Sequence, residues 1–216
     1  MNCIKSLLPT IADDNVAKFK EYVAEEKVPW VKEFVLYMAA TFGSKEFLKV
    51  FLEDTSIKFC PVIEFDSVLN FAAGNGKLEC LKYLIECGID VKGVRLETKD
   101  TSLHIAAHNG YSDCVKFLLS ESRKNPQKRK PLVDVNVRNG NGATPLHCAA
   151  HNGKEMCVKI LLRNGADVHA KDAWGDIPLH KAVVNGHKQC AKLLIDAKSD
   201  INALVSKHLF LGRFRN

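Results

Sequence analysis

The sequence predicts an all-α stack of helix-turn-helix units, and three observations predict it. The first is repetition. Leu69-Asn70-Phe71-Ala72-Ala73-Gly74-Asn75-Gly76, Leu103-His104-Ile105-Ala106-Ala107-His108-Asn109-Gly110, Leu146-His147-Cys148-Ala149-Ala150-His151-Asn152-Gly153 and Leu179-His180-Lys181-Ala182-Val183-Val184-Asn185-Gly186 are copies of one phrase, and Leu36 to Gly43 is a diverged fifth. Counted from the second small residue, the steps are 33 (40 to 73), 34 (73 to 107), 43 (107 to 150) and 33 (150 to 183). A period of this length marks stacked supersecondary units rather than a closed core. The second observation is an apolar pattern that follows each phrase: Phe47/Leu48/Phe51/Leu52, Cys80/Leu81/Leu84/Ile85, Cys114/Val115/Leu118/Leu119, Cys157/Val158/Leu161/Leu162 and Cys190/Ala191/Leu194/Ile195. Spacing of i, i+1, i+4, i+5 puts each set on one helical face, which needs a neighbour to cover it. The third is turn chemistry. Thr144 suits an N-cap, Pro145 a first helical position, and Gly153 and Gly165 the left-handed turns that end helices.

The elements follow in order. Residues 1–28 form a degenerate N-terminal capping repeat. Phe19, Tyr22 and Val23 keep the frame, but Lys18 stands where later copies carry Cys, which fits a helix with one wet side. Residues 29–203 form the array. In its clearest unit a short inner helix runs from Pro145 to about Asn152, and an outer helix from about Lys154 to Asn164. After the outer helix, Ala166 to Lys171 turns into a hairpin-like loop. The long step comes from a basic insertion at 120–132, read as an exposed loop. Residues 204–216 depart from the repeat and form a C-terminal cap or a frayed tail.

Composition bounds the function. The chain is 46% hydrophobic and 26% charged, with a net charge of +6 that permits an acidic partner without demanding one. Eight cysteines in 216 residues are too dilute for a disulfide scaffold. The N-terminus soon meets Asp13-Asp14, which does not fit a secretory leader, and the apolar stretch from Phe34 to Phe42 is too short to span a bilayer. The expected location is cytoplasmic, nuclear or both. No phosphate-cradling glycine loop, nucleophile elbow or paired-cysteine metal motif is present, so no cofactor, metal or catalytic residue is expected.

The phrase Gly142-Ala143-Thr144-Pro145-Leu146-His147-Cys148-Ala149-Ala150, then Gly153 and Leu161-Leu162-Arg163-Asn164-Gly165-Ala166-Asp167-Val168, resembles the ankyrin repeat. The resemblance implies an all-α solenoid with projecting β-hairpin-like loops, used as a protein-interaction module or adaptor. It implies no enzyme activity. It also implies that partner contacts come from loop tips and inner-helix ends: Trp174, Ala173, Asp176, His151, Asn152, His108, Asn109, Asn75, Phe42, Trp30, Asp100 and Asp66. Trp174 leads, because tryptophan is enriched among interface hot spots. His104, His147 and His180 fall where the family uses a structural histidine. Asn202 and His169 resemble repeat positions that asparaginyl hydroxylases modify, and Lys128-Arg129-Lys130 resembles a short nuclear-import signal. The expected partner is a protein and the expected state a monomer; nucleic acid and membrane are not expected.

Other constellations have simpler readings. Cys80, Cys114, Cys157 and Cys190 lie on packed helices about 8–10 Å apart, beyond the roughly 7 Å a disulfide tolerates, and read as small buried hydrophobes. His104/His108 and His147/His151 have the i, i+4 spacing of half a zinc site but no third ligand. Lys20, Lys49, Lys82, Lys116, Lys159 and Lys192 form a ridge on the outer helices. With the basic insertion, that ridge offers an alternative function, binding an anionic nucleic acid or membrane surface. Units about 10 Å apart exceed a Debye length of about 8 Å, so a solvated back face is favoured. Glu33, Asp66, Asp100 and Asp176 form an acidic column, broken by Ala143. It either complements helix dipoles or attracts a basic partner segment.

Overall fold

The structure is a computed structural model, and it describes residues 29–53, 65–95, 97–120 and 133–200, with backbone alone for 29–35, 51, 53 and 65–67. The capping repeat at 1–28, insertion residues 121–132 with Lys128, Arg129 and Lys130, Asn202 and the tail at 204–216 lie outside the described residues. The chain divides into two compact units, residues 1–93 and 94–216.

The first unit holds two helix pairs, α1 (Pro29–Phe42) with α2 (Lys45–Glu53), and α3 (Phe65–Gly74) with α4 (Leu78–Glu86). Inner helix α1 packs on α3, and outer helix α2 on α4. Ala39, Ala40, Ala72 and Ala73 are fully buried, since their small side chains let the inner helices approach closely. The unit also corrects one expectation. Trp30 lies in the first turn of α1, not on a loop tip. No glycine or asparagine falls between Val28 and Phe42 to make a turn, and Pro29 suits a first helical position, so the helix extends upstream. Asp66 likewise lies inside the first turn of α3 rather than before it.

The second unit holds three pairs: α5 (Ser102–Asn109) with α6 (Ser112–Leu118), α7 (Pro145–His151) with α8 (Glu155–Arg163), and α9 (Pro178–Val184) with α10 (Lys188–Asp196). Inner helices stack on inner helices and outer on outer. Of each outer-helix quartet the first, second and third members are mostly buried, including Cys114, Cys157 and Cys190. Leu162 is half-buried and Ile195 is exposed. Each tight turn between partners closes the same way. The N–H of Tyr111, Lys154 and His187 reaches back to the carbonyl of Ala106, Ala149 and Ala182 at 2.9–3.0 Å.

The projecting loops are turns rather than strands. Among the described residues the only β pairing is an isolated bridge between Val94 and Thr101. At one tip Asn139 N–H bonds Ala143 O at 3.0 Å, and at the next Asp172 N–H bonds Asp176 O at 2.9 Å. Gly142 and Gly175 close these turns with φ of 67° and 82°, and Lys99 holds the same place with φ of 55°. Tips join edge to edge: Gly140 N–H to Thr98 O and Ala173 N–H to Asn141 O, each 2.9 Å.

Histidine ties helix starts to the next loop. His147 Nδ1 accepts the Thr144 N–H at 3.1 Å and meets the Thr144 hydroxyl at 2.9 Å. The ring proton must therefore sit on Nε2, which donates to Asp176 O in the following repeat at 2.9 Å. His104 repeats the arrangement with Thr101 and Ala143 O. These are the structural roles the resemblance implied. His180 keeps only part of it, because Ile177 has no hydroxyl; Ile177 N–H lies 3.4 Å from His180 Nδ1.

Two predictions come from these helix starts. Ser102 is fully buried with an unpartnered hydroxyl, where the later repeats carry Pro145 and Pro178. Thr101 already has the extended backbone (φ −82°, ψ 166°) that a following proline requires. Ser102→Pro should therefore stabilise the chain by about 1 kcal/mol in urea unfolding, by removing the buried hydroxyl and stiffening the unfolded chain.

The second concerns acid. Burial outweighs the carbonyl hydrogen bonds and nearby carboxylates, and holds the pKa of His104 and His147 below the ordinary histidine value. The unfolded state then binds more protons than the folded state below the unfolded pKa of about 6.5. The stabilisation is complete above that pH and is lost as pH falls toward and through the lowered folded-state values. Unfolding free energy should fall between pH 6.5 and 5.5, with a limiting slope of about 1.4 kcal/mol per pH unit per histidine. His104→Gln/His147→Gln should flatten the slope in the same titration.

Candidate interaction groove

In the second unit a groove of about 410 Å³ opens between two loop tips and the inner helices. Its tip wall is Asn139, Asn141, Ala143 and Trp174, and its helix wall includes His108, His147, Cys148 and His151. Trp174 stands at the rim with 47% of its surface exposed. Its backbone N–H donates to Asp172 Oδ1 at 2.9 Å, and the Asp176 backbone N–H donates to the same oxygen at 2.9 Å, so one carboxylate shapes the tip.

Beneath the indole lies an ion cluster. Lys181 Nζ sits 2.7 Å from Asp172 Oδ2 and 3.0 Å from Asp176 Oδ2. The same ammonium is 5.1 Å from the centre of the Trp174 ring, within cation–π range. Burial pulls the Lys181 pKa down, but the hydrogen bonds and charges of Asp172 and Asp176 outweigh it and leave the pKa raised. Lys181 is therefore charged at neutral pH. Burial, with the charge of Asp100 behind it, pushes the Cys148 thiol up to about 12, so it remains protonated and is no nucleophile.

The inner-helix ends carry a second network. Asn152 Nδ2 donates to Cys148 O at 2.9 Å and meets His108 Nδ1 of the preceding repeat at 3.0 Å. Asn185 Nδ2 does the same with Lys181 O at 2.8 Å and His151 Nδ1 at 3.1 Å. His187 Nε2 meets His151 O at 3.0 Å. An added Cβ at Gly153, φ 65°, would lie 2.5 Å from His187 Nδ1, so glycine makes this approach possible.

The expected contact residues thus separate. Trp174, His108 and His151 line the groove with exposed surface, and Ala173 and Asn109 are exposed beside them. Asn152 lines it too, but its amide is committed to the network. Asp176 requires correction as a direct contact. It is 1% exposed and its carboxylate holds Lys181, because the tip folds its side chain inward against that lysine. Asp100 is half-buried and accepts from Asn139 Nδ2 at 2.7 Å. Phe42, 41% exposed, and Asn75, bonded to Phe71 O at 2.9 Å, belong to the first unit. The side chains of Trp30 and Asp66 lie outside the described residues. His169 is exposed, with its N–H on Asp167 Oδ1 at 2.9 Å. Two ridge lysines are paired in place, Lys49 with Glu46 and Lys82 with Glu79, each at 2.6 Å.

Sequence reasoning passed over Lys181 and Asp172. A signal existed: Lys181 stands where two earlier copies carry Ile105 and Cys148, and a charge in an apolar column needs a partner.

A family model for ankyrin repeats, in three copies, matches residues 36–130 and again residues 129–204. The chain belongs to the ankyrin-repeat family. Proteins built from ankyrin repeats are generally protein–protein interaction modules and typically not enzymes. No curated protein matches this ankyrin-repeat chain. No helix among its described residues is long and apolar enough to cross a membrane, and no three-residue metal-ligating group occurs among them.

The cluster yields a prediction. Lys181→Met leaves two buried carboxylates without their cation. It should cost about 3 kcal/mol in urea unfolding and shift the Trp174 fluorescence.

Proposed function

We propose that this ankyrin-repeat chain is an adaptor that binds a segment of a partner protein in the groove of the second unit, acting as a monomer in the cytoplasm or nucleus. The observation that carries this reading is the half-exposed Trp174, held at the rim by an ion cluster instead of being buried in the stack. A rigid aromatic offers large contact area at small entropic cost, which is why such residues dominate interface energetics. The tip contacts of Ala173 and the helix-end histidines extend the surface. Pairing of Lys49 and Lys82 with their own glutamates weighs against an anionic-surface function for the ridge.

Trp174→Ala should weaken the principal partner by about 2 kcal/mol, roughly thirtyfold, while leaving thermal stability nearly unchanged. Quantitative mass spectrometry of proteins retained by wild type and variant checks the first part, and calorimetry the second. An unchanged retained set, or a large drop in melting temperature, would make Trp174 a packing residue.

A further inference from the structure

We propose that the groove selects an acidic segment, and that His108 and His151 receive an aspartate or glutamate side chain through their Nε2–H groups. This inference rests on the groove being the binding site, and it names the chemistry of the occupant.

The groove's carboxylates and the Asn139 side chain are committed. Asp172 accepts two backbone N–H groups on one oxygen and holds Lys181 on the other. Asp176 holds Lys181 with Oδ2, and its backbone oxygen takes His147. Asn139 Oδ1 accepts from Asn141 and Ala143, and its Nδ2 donates to Asp100. A basic segment entering here meets acids already engaged with Lys181 and Asn139.

The two helix-end histidines differ. Asn152 Nδ2 donates to Cys148 O, which fixes the orientation of that amide, since its oxygen cannot face a carbonyl. The contact between the same nitrogen and His108 Nδ1 is then a donation to the ring, and the ring proton sits on Nε2. Asn185, Lys181 O and His151 repeat the logic one repeat later. Two Nε2–H donors therefore line the same wall of the groove, and neither has a protein partner among the described residues.

Burial and neighbouring charge keep the His151 ring neutral, the form in which Nδ1 accepts and Nε2 donates. Lys181 from α9, His108 from α5 and His187 from the start of α10 act on His151, and Lys181 is itself paired with Asp172 and Asp176. Burial, the largest cause, acts with these charges to hold its pKa down. A carboxylate at the ring edge accepts from Nε2–H while Asn185 Nδ2 keeps Nδ1 an acceptor, so the neutral ring binds it, and an ionised acceptor makes that hydrogen bond stronger than an amide oxygen would.

The test uses the full chain and a positional-scanning library of fluorescein-labelled nonapeptides, each fixed at one position by one residue type. Aspartate or glutamate at one or two positions should bind about tenfold tighter than asparagine or glutamine there. That preference should persist from pH 7.5 to 6.5. His108→Phe and His151→Phe should abolish it, and His151→Gln, which retains an N–H near the Nε2 position, should keep it. Unfolding midpoints of all variants show whether each is folded. Preference for lysine or arginine, or none for charge, with binding that still requires Trp174, overturns this inference and leaves the groove as the binding site. Acid preference that survives both phenylalanine variants also overturns it. A library that selects nothing, alongside protein retention indifferent to Trp174→Ala, overturns both readings.

Discussion

The second unit depends on a buried imidazole that spans two repeats. In His104 and His147 one ring nitrogen accepts at the start of its own helix, and the other donates to a loop of the next repeat. The same ring therefore caps a helix, fixes a loop and sets the stacking register. A neutral ring is required, because one nitrogen must accept while the other donates. Burial enforces that state, and acid removes it. A stack held by nearest-neighbour terms is sensitive to each such link, since no distant contact compensates for its loss.

Loop geometry then determines the groove. His147 takes the backbone oxygen of Asp176, while Asp172 shapes the turn by accepting two N–H groups. Both carboxylates are buried and need a cation, and Lys181 supplies it from the following inner helix. The ammonium also supports the indole, so the ion cluster acts as a platform for the exposed aromatic. Stability and presentation share one set of atoms here, so removing the lysine affects both.

At the other end of the inner helices, asparagine links successive repeats through histidine. The link uses one ring nitrogen and leaves the other as a fixed donor on the groove wall. Duplication of the repeat carries this arrangement forward, so neighbouring units present similar donors at one-repeat spacing. The surface is thus a by-product of how consecutive helices are joined, which explains why it lines up with the stack.

Much of this was legible in the amino-acid order. Thr144, Pro145 and Gly153 specify where an inner helix starts and stops through local backbone preference, and Cys157, Val158 and Leu161 mark its partner's buried face by period. These are short-range effects, so a linear reading captures them. Trp174 could be placed on its tip for the same reason, between Asp172 and Gly175 of one tight turn. The upstream Trp30 could not, because that region lacks turn residues to anchor the frame. Tertiary structure alone decided that Asp176 turns inward, that Asp172 and Lys181 meet beneath the indole, and that Asn152 and Asn185 fix the tautomers of His108 and His151. Each is a contact between groups brought together by stacking or by a folded tip, and its energy depends on burial and on partners that spacing along the chain does not encode. The sequence by itself determined the repeat, its helices and the exposed tryptophan; the stacking of those helices decided which polar groups are consumed and which remain to meet a partner.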